Sequence, residues 1–324
     1  MYLAAPTFAF TIPSVHDGTR LDCRLYLPDG CSSTRPVRGA IVAHPYAALG
    51  GCYDDPVVSF IGGELLEHGY IVGTFNFRGA ADSDGRTSWT SRPEVADYLS
   101  FYGFMLIYLH MLSRRGRESD DAPISQHGGI SANVHLTLGG YSYGSFIASN
   151  LPSISVVGDL FKGSIDETLF HDILQAARHI YVLSTDDTQT ERPSSPNDSC
   201  LVDITKTSLS YLLISPLLPP VSQFLTLFTR PSLDIRDTAS NNPRQFPCPN
   251  PADQLCTYPT LAIYGDQDSF TSASKLRKWS EELNKMPRSR FRSVEIGGAG
   301  HFWREIGAES QARDALRNWL RQPS

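Results

Sequence analysis

Apolar residues along this chain fall into two kinds of segment. Residues 8–12 and 21–27 alternate or cluster apolar positions on either side of His16-Asp17-Gly18, the pattern of an antiparallel hairpin. Residues 39–43 (Gly-Ala-Ile-Val-Ala) and 70–77 are instead almost continuously apolar or small, as expected of strands covered by helices on both faces. Between these runs Val58, Ile61, Leu65 and Leu66 recur at helical spacing over 57–68, which predicts a strand, helix, strand crossover.

The rhythm continues downstream. Residues 99–112 predict a long apolar helix, 136–141 a strand, 146–151 a helix and 210–215 another buried strand. Two further strands are expected at 260–264 and 292–296, with a helix over 272–283 between them. A final amphipathic helix over 308–320 presents Ala312, Leu316, Trp319 and Leu320 to the sheet. Such alternation implies an α/β fold with a mostly parallel sheet of about eight strands flanked by helices. Its length suits one large domain, 1–324, carrying insertions.

Two stretches break the pattern. Residues 153–208 hold a predicted helix over 167–183 and then a polar, proline-containing run at 185–199, while 216–258 is crowded with prolines, including Pro243, Pro247, Pro249 and Pro251. Long connections inside a compact domain are usually functional or mobile. Both are therefore expected to be insertions over the C-terminal ends of the strands, where a lid would shape a pocket; for 185–199 a disordered surface loop fits at least as well. No internal repeat is visible.

Composition narrows the partners. With 41% hydrophobic and 19% charged residues the chain is ordinary globular protein, and a net charge of −6 offers no basic patch for a phosphate backbone, so no nucleic acid partner is expected. Residues 1–14 lack a basic segment and are broken by Pro6 and Pro13, unlike a secretory signal. There is no uninterrupted apolar run of about 18 residues, the length of a spanning helix, and the expected location is cytoplasmic. Cys23, Cys31, Cys52, Cys200, Cys248 and Cys256 form no Cys-x-x-Cys pair and lie at no zinc-finger spacing to histidine, so neither a metal site nor a redox motif is indicated. Reduced thiols are expected; Cys248 and Cys256 are the best candidates for a bridge in an exported protein.

The chemistry is concentrated at three strand exits. Gly140-Tyr141-Ser142-Tyr143-Gly144 lies between a strand and a helix and reads as Gly-x-Ser-x-Gly, where a sharp turn between small neighbours lifts a serine Oγ clear of the sheet. The strand 260–264 runs into Gly265-Asp266-Gln267-Asp268, and the strand 292–296 into Gly297-Gly298-Ala299-Gly300-His301. A serine needs a base to take its proton, and an imidazole needs a carboxylate on its other nitrogen to fix the tautomer. Asp268 is favoured as that carboxylate because it lies farther past the strand end and can reach the imidazole; Asp266 is the alternative, or a turn cap. Acyl transfer also needs two backbone N–H donors for an oxyanion. One is expected from Tyr143, after the serine; the other from Tyr46 in His44-Pro45-Tyr46-Ala47, since Pro45 has no N–H.

Taken together, these residues resemble the α/β-hydrolase superfamily, in the branch of small serine-hydrolase-like proteins with a His-Pro motif after the third strand and an Asn-Phe-Arg-Gly motif after the fourth. The matches are His44-Pro45 followed by Gly50-Gly51, Phe75-Asn76-Phe77-Arg78-Gly79 continuing to Ser83-Asp84-Gly85, the 140–144 turn, Gly265 to Asp268, and Gly298-Ala299-Gly300-His301-Phe302. The resemblance implies the α/β-hydrolase fold with lid insertions, a nucleophile at Ser142, an acid at Asp268, a base at His301 and a structural role for Arg78. Where relatives have Gly-x-Gly-x-Ser, this chain has Gly79-Ala80-Ala81-Asp82-Ser83, so the conformation of that loop is left open. The stretch 153–208 is longer than in compact relatives, so no substrate carries over.

The leading expectation is a serine hydrolase that needs no cofactor and cleaves an ester, thioester or related acyl bond of a small, apolar molecule. The alternative keeps the fold and changes the reaction to carbon–carbon bond hydrolysis, cyclisation or acyl transfer in small-molecule biosynthesis. Tyr46, Tyr53, Tyr143, Phe224, Phe302 and Trp303 are then candidates for the wall of an aromatic pocket. A non-catalytic binding protein is the third reading, and an intact Ser, Asp, His set argues against it.

Overall fold

The structure, a computed structural model, describes residues 1–29, 36–118, 133–162, 169–185, 204–235 and 244–322. Strands β1 (Phe8–Pro13) and β2 (Arg20–Tyr26) form the entry hairpin, with Phe10 opposite Cys23. Then β3 (Val37–Ala43), α1 (Pro56–Glu67) and β4 (Ile71–Phe75) make the first crossover. Helix α1 starts where Asp55 accepts a hydrogen bond from Val57 N at 2.8 Å and Pro56 occupies the first turn, a standard pairing of side-chain cap and proline.

The remaining elements are α2 (Arg92–Glu118), β5 (Val134–Tyr141), α3 (Tyr143–Ser149), α4 (Ile154–Lys162), α5 (Leu169–Thr185) and β6 (Thr207–Ile214). After them come α6 (Val221–Phe224), β7 (Ser232–Ile235), β8 (Arg244–Pro247), α7 (Pro251–Thr257), β9 (Thr260–Gly265), α8 (Ala273–Lys285), β10 (Phe291–Ile296) and α9 (Ala308–Leu320). Eight strands form one sheet in the order β1-β2-β4-β3-β5-β6-β9-β10, with β2 antiparallel to both neighbours and the pairs from β4 to β10 parallel.

Strand alternation sorts the core into two layers. Ile41 and Ala43 of β3 pack with α2, α3 and α5, while Ala40 and Val42 pack with α1 and α9. Strands β4, β5 and β9 are buried at every position, which is why they read as continuous apolar runs. Helix α2 is apolar and long enough to cross a membrane by composition alone, but 89% of its most apolar window is buried inside the protein, as in a core helix. It extends beyond the apolar stretch 99–112 because the polar residues of its first turns are bonded internally: Glu94 to Ser88, Asp97 to Arg78 and Ser100 to Val15 N.

The two irregular stretches differ from one another. In the first, α4 and α5 pack on α2, and α5 also on β1, so its described part extends a helical layer beside an edge strand. A Cβ on Gly103 of α2 would sit 1.9 Å from the ring of Phe161, so glycine is what admits this ring. The second stretch is more regular than its prolines suggested, holding α6, the two-stranded ribbon β7–β8, and α7. It is tied to strand-end loops: Leu218 N donates to Thr271 Oγ1 at 3.2 Å, Ser91 Oγ to Leu225 O at 2.7 Å and His16 Nδ1 to Asp234 O at 2.7 Å. Cys248 and Cys256 are free thiols, with Cys256 Sγ 3.4 Å from Met286 Sδ. Cys31, Cys200 and the run 186–199 lie outside the described residues.

Candidate active site

Strand β5 delivers Ser142 into a turn with φ 55° and ψ −110°, a strained conformation for a residue with a side chain. The turn is held from both sides: Ser142 N donates to Ile214 O at 2.8 Å, and Phe146 N to Ser142 O at 3.1 Å. Its glycines are sterically required. A Cβ on Gly140 would lie 2.4 Å from Gly144 C, and one on Gly144 would lie 2.4 Å from Ala43 O. Ser145 locks the helix that follows, its Oγ donating to Gly140 O at 2.5 Å and accepting from Ile214 N at 3.0 Å.

The loops leaving β9 and β10 converge on this serine. His301 Nε2 lies 2.8 Å from Ser142 Oγ, and His301 Nδ1 lies 2.7 Å from Asp268 Oδ2. A carboxylate accepts, so Nδ1 carries the proton and Nε2 is the acceptor for the serine hydroxyl. Asp268 is itself fixed, its Oδ1 accepting from Phe270 N at 2.8 Å and Thr271 N at 3.0 Å. Ser142, His301 and Asp268 are 5, 3 and 7% exposed, so their hydrogen bonds act in a largely water-free setting. Asp266 does something else: its Oδ1 accepts from Gly298 N at 2.8 Å, tying the β9 loop to the loop that carries His301.

Tyr143 opens α3, where the first N–H groups have no partner within the helix. Its ring lies 5.0 Å from that of Tyr46, on the β3 exit loop that Gly144 abuts. His44 shapes that loop. Its Nδ1 donates to Pro45 O at 2.6 Å and its Nε2 accepts from Phe77 N at 2.9 Å, so the ring is neutral. Burial lowers its pKa from 6.5 to about 4. His135, between Ser208 and Ser210 at the opposite end of β5, is likewise lowered to about 4, by burial and then by Arg38. Both rings resist a proton that the unfolded chain accepts. Stability should therefore be complete above pH 6.5 and decline as the pH falls from 6.5 towards about 4. Urea unfolding across that interval measures the decline, and a flat profile would mean the folded rings accept protons freely.

Aromatic rings enclose the imidazole. Phe270 lies 4.3 Å from it, Phe302 5.5 Å and Tyr141 5.6 Å between ring centroids, and Tyr141 Oη donates to His301 O at 2.8 Å. Asp55, the cap of α1, also senses the site; burial raises its pKa, while its bonds to Val57 and Val58 N–H and the nearby Arg304 and His301 oppose the rise. Neither Phe270 nor Asp55 was singled out from sequence, and only their adjacency to Asp268 and Pro56 hinted at them. Of the aromatic candidates, Tyr53 packs under Arg24 and bonds Asp22, Trp303 is buried with its Nε1 on Ser215 Oγ at 3.0 Å, and the ring of Tyr143 is in the core beside Phe77. Phe302 and Phe224 are exposed. Among the described residues no group of three or more His, Cys, Asp or Glu is placed to hold a metal ion.

Arg78 lies outside this constellation. Its guanidinium is forked on Asp97, with Nε to Oδ2 at 2.9 Å and Nη2 to Oδ1 at 2.7 Å, and reaches Asp17 at 3.0 Å and Ser14 Oγ at 3.1 Å. The loop after it closes through Ser83 Oγ on Asn76 O at 2.8 Å. Ala81 takes φ 41° there, a left-handed position that glycine would occupy more readily.

No protein-family model and no curated protein matches the chain. Solved structures do. An α/β serine hydrolase homologue from Coxiella burnetii shares 18% identity over 98% of this chain and 99% of its own, with a TM-score of 0.50. ATU1826 of Agrobacterium tumefaciens, a protein of unknown function, shares 17% over 97% and 94%, with a TM-score of 0.51. Est1E from Butyrivibrio proteoclasticus, solved with ferulic acid bound, shares 13% over 96% and 98%, with a TM-score of 0.50. At these identities the likeness is one of architecture, and with the sheet order and its single antiparallel strand it establishes that the chain has the α/β-hydrolase fold.

Proposed function

We propose that the protein is a serine hydrolase acting on an ester, thioester or related acyl bond of a small apolar molecule. The observation that carries this reading is the unbroken chain of hydrogen bonds from Ser142 Oγ through His301 to Asp268. In the proposed cycle His301 Nε2 takes the proton of Ser142 as Oγ attacks the carbonyl carbon, and the N–H groups of Tyr143 and Tyr46 receive the oxyanion. Asp268 holds the ring and stabilises the imidazolium. Collapse of the tetrahedral intermediate expels the leaving group, which takes the proton from His301. Water then gives a proton to the same nitrogen, attacks the acyl-enzyme and releases the acid, and Ser142 recovers its proton.

A fluorophosphonate probe followed by a p-nitrophenyl ester tests the reading in two stages. The probe is expected to form one adduct, on Ser142, that is absent from Ser142→Ala. The ester is expected to turn over many times per enzyme. A protein that stays unlabelled would be a binding protein with the fold. One that is acylated by the ester without releasing acid would transfer its acyl group elsewhere, which moves the assignment to acyl transfer or cyclisation.

A further inference from the structure

The turn after β6 is amphipathic in the inverted sense. Over 221–228 the polar side chains Ser222 and Thr226 face inward, 8 and 3% exposed, while Phe224, Leu227 and Phe228 are 62, 53 and 68% exposed. Leu227 and Phe228 also hold φ of 46° and 60°, a left-handed backbone that bulky residues rarely enter. The turn is nevertheless firmly held. Phe228 N donates to Gln223 O at 2.8 Å, Thr229 N to Thr226 O at 2.9 Å, and Ser91 Oγ to Leu225 O at 2.7 Å. Strained, braced, outward-facing apolar side chains beside a reactive site point to a ligand surface.

The same end of the sheet presents more of them. Phe302 is 52% and Ile306 fully exposed in the loop after His301, and Trp89 is 73% exposed just before Ser91. Two arginines accompany these tips: Arg230 follows Phe228 by two residues and Arg304 follows Phe302 by two. Neither forms an ion pair among the described residues, and Arg304 lies over the ring of Phe302 at 5.3 Å.

We infer that this rim docks on a phospholipid surface of zwitterionic, phosphatidylcholine type. Phe224, Leu227, Phe228 and Phe302 enter the boundary between headgroups and acyl chains, and Arg230 and Arg304 meet headgroup phosphates. Charge selects this occupant. A chain of net charge −6 is repelled by a strongly anionic surface. A second copy seated on the same rim would bring two Arg230 and two Arg304 guanidinium groups into one interface. The inference goes beyond the hydrolase reading and does not need it, so it is tested on a protein unable to turn over ester.

The test is flotation of the Ser142→Ala protein with vesicles of dioleoylphosphatidylcholine. The protein is expected to float, and Phe224→Ser with Phe228→Ser to weaken the apparent partition about tenfold or more, as loss of two apolar anchors requires. Arg230→Gln with Arg304→Gln should weaken it several-fold. Val182→Ser with Leu183→Ser, exposed apolar residues at the far end of α5, should leave it unchanged. These substitutions are on exposed side chains, and circular dichroism with light scattering of each variant reports folding and oligomeric state. A protein that does not float, an aromatic variant that floats as well as its parent, or a dimer dissolved by the aromatic substitutions would overturn the inference.

Discussion

Replacing Ser142 with alanine is expected to lower kcat/KM for an activated acyl ester by on the order of a millionfold, and to leave the folded structure intact. The size follows from the role: without Oγ there is no acyl-enzyme, and the residual rate comes from carbonyl polarisation and binding alone. Folding should survive because Ser142 Oγ is bonded to the imidazole of His301 and its backbone bonds to Ile214 and Phe146 remain. Alanine at His301 should cost about as much as alanine at Ser142, because groups that act as a unit are not additive. Asp268→Asn should cost less in rate, since it spoils the tautomer without removing the nucleophile. Asp266→Asn should be mildest of all, because an amide oxygen can still accept from Gly298 N. Steady-state hydrolysis of a p-nitrophenyl ester, with thermal melts run alongside, orders the four. Retained turnover in Ser142→Ala would end the proposed mechanism.

Arg78→Met is expected to produce the largest loss of stability, about 3–5 kcal/mol. Asp97 is fully buried and the Arg78 guanidinium supplies two of the three hydrogen bonds its carboxylate accepts, the third coming from Arg78 N, so the substitution leaves the carboxylate in a low-dielectric interior without its counter-charge. Adding Asp97→Leu should recover part of the loss, since an apolar pair of similar volume carries no desolvation penalty. The acid branch should change as well. Burial alone raises the pKa of Asp17, but hydrogen bonds from Arg78 and Thr19 bring it down from 3.8 to about 2. A lowered carboxylate contributes fully above its unfolded value and loses that contribution as pH falls through the folded one. Parent protein should therefore weaken between pH 3.8 and about 2, and the Arg78→Met protein should show that slope much reduced. Urea titrations of parent, single and double variants check each step.

The positions of strands and helices followed from short-range pattern, because periods of two and of about 3.6 residues are properties of neighbours along the chain. The turn at 140–144 could be read for the same reason: its glycines answer to contacts within a few residues and to the strand beside them. Errors arose where burial was decided at a distance. The start of α2 looked polar because the partners of Glu94, Asp97 and Ser100 come from other loops. Trp303 and Tyr53 looked available to a pocket, but their polar atoms are satisfied inside the fold by Ser215 and Asp22. The segment 221–228 lies in the stretch expected to be a lid insertion, and nothing in its composition says that its hydroxyls face in and its phenyl rings out.

By itself the chain determined a doubly wound sheet, a serine at one strand exit and an imidazole at another, since each depends on local backbone geometry and on apolar periodicity. Which of two nearby aspartates meets that imidazole was settled only in three dimensions. Both lie in one short loop with the same charge, and their difference is direction: Asp268 turns to His301 at 2.7 Å, Asp266 to the backbone of Gly298 at 2.8 Å. Direction at that scale is set by the packing of β9 against β10 and of the loops above them, contacts between residues dozens of positions apart, and no periodicity along the chain encodes it.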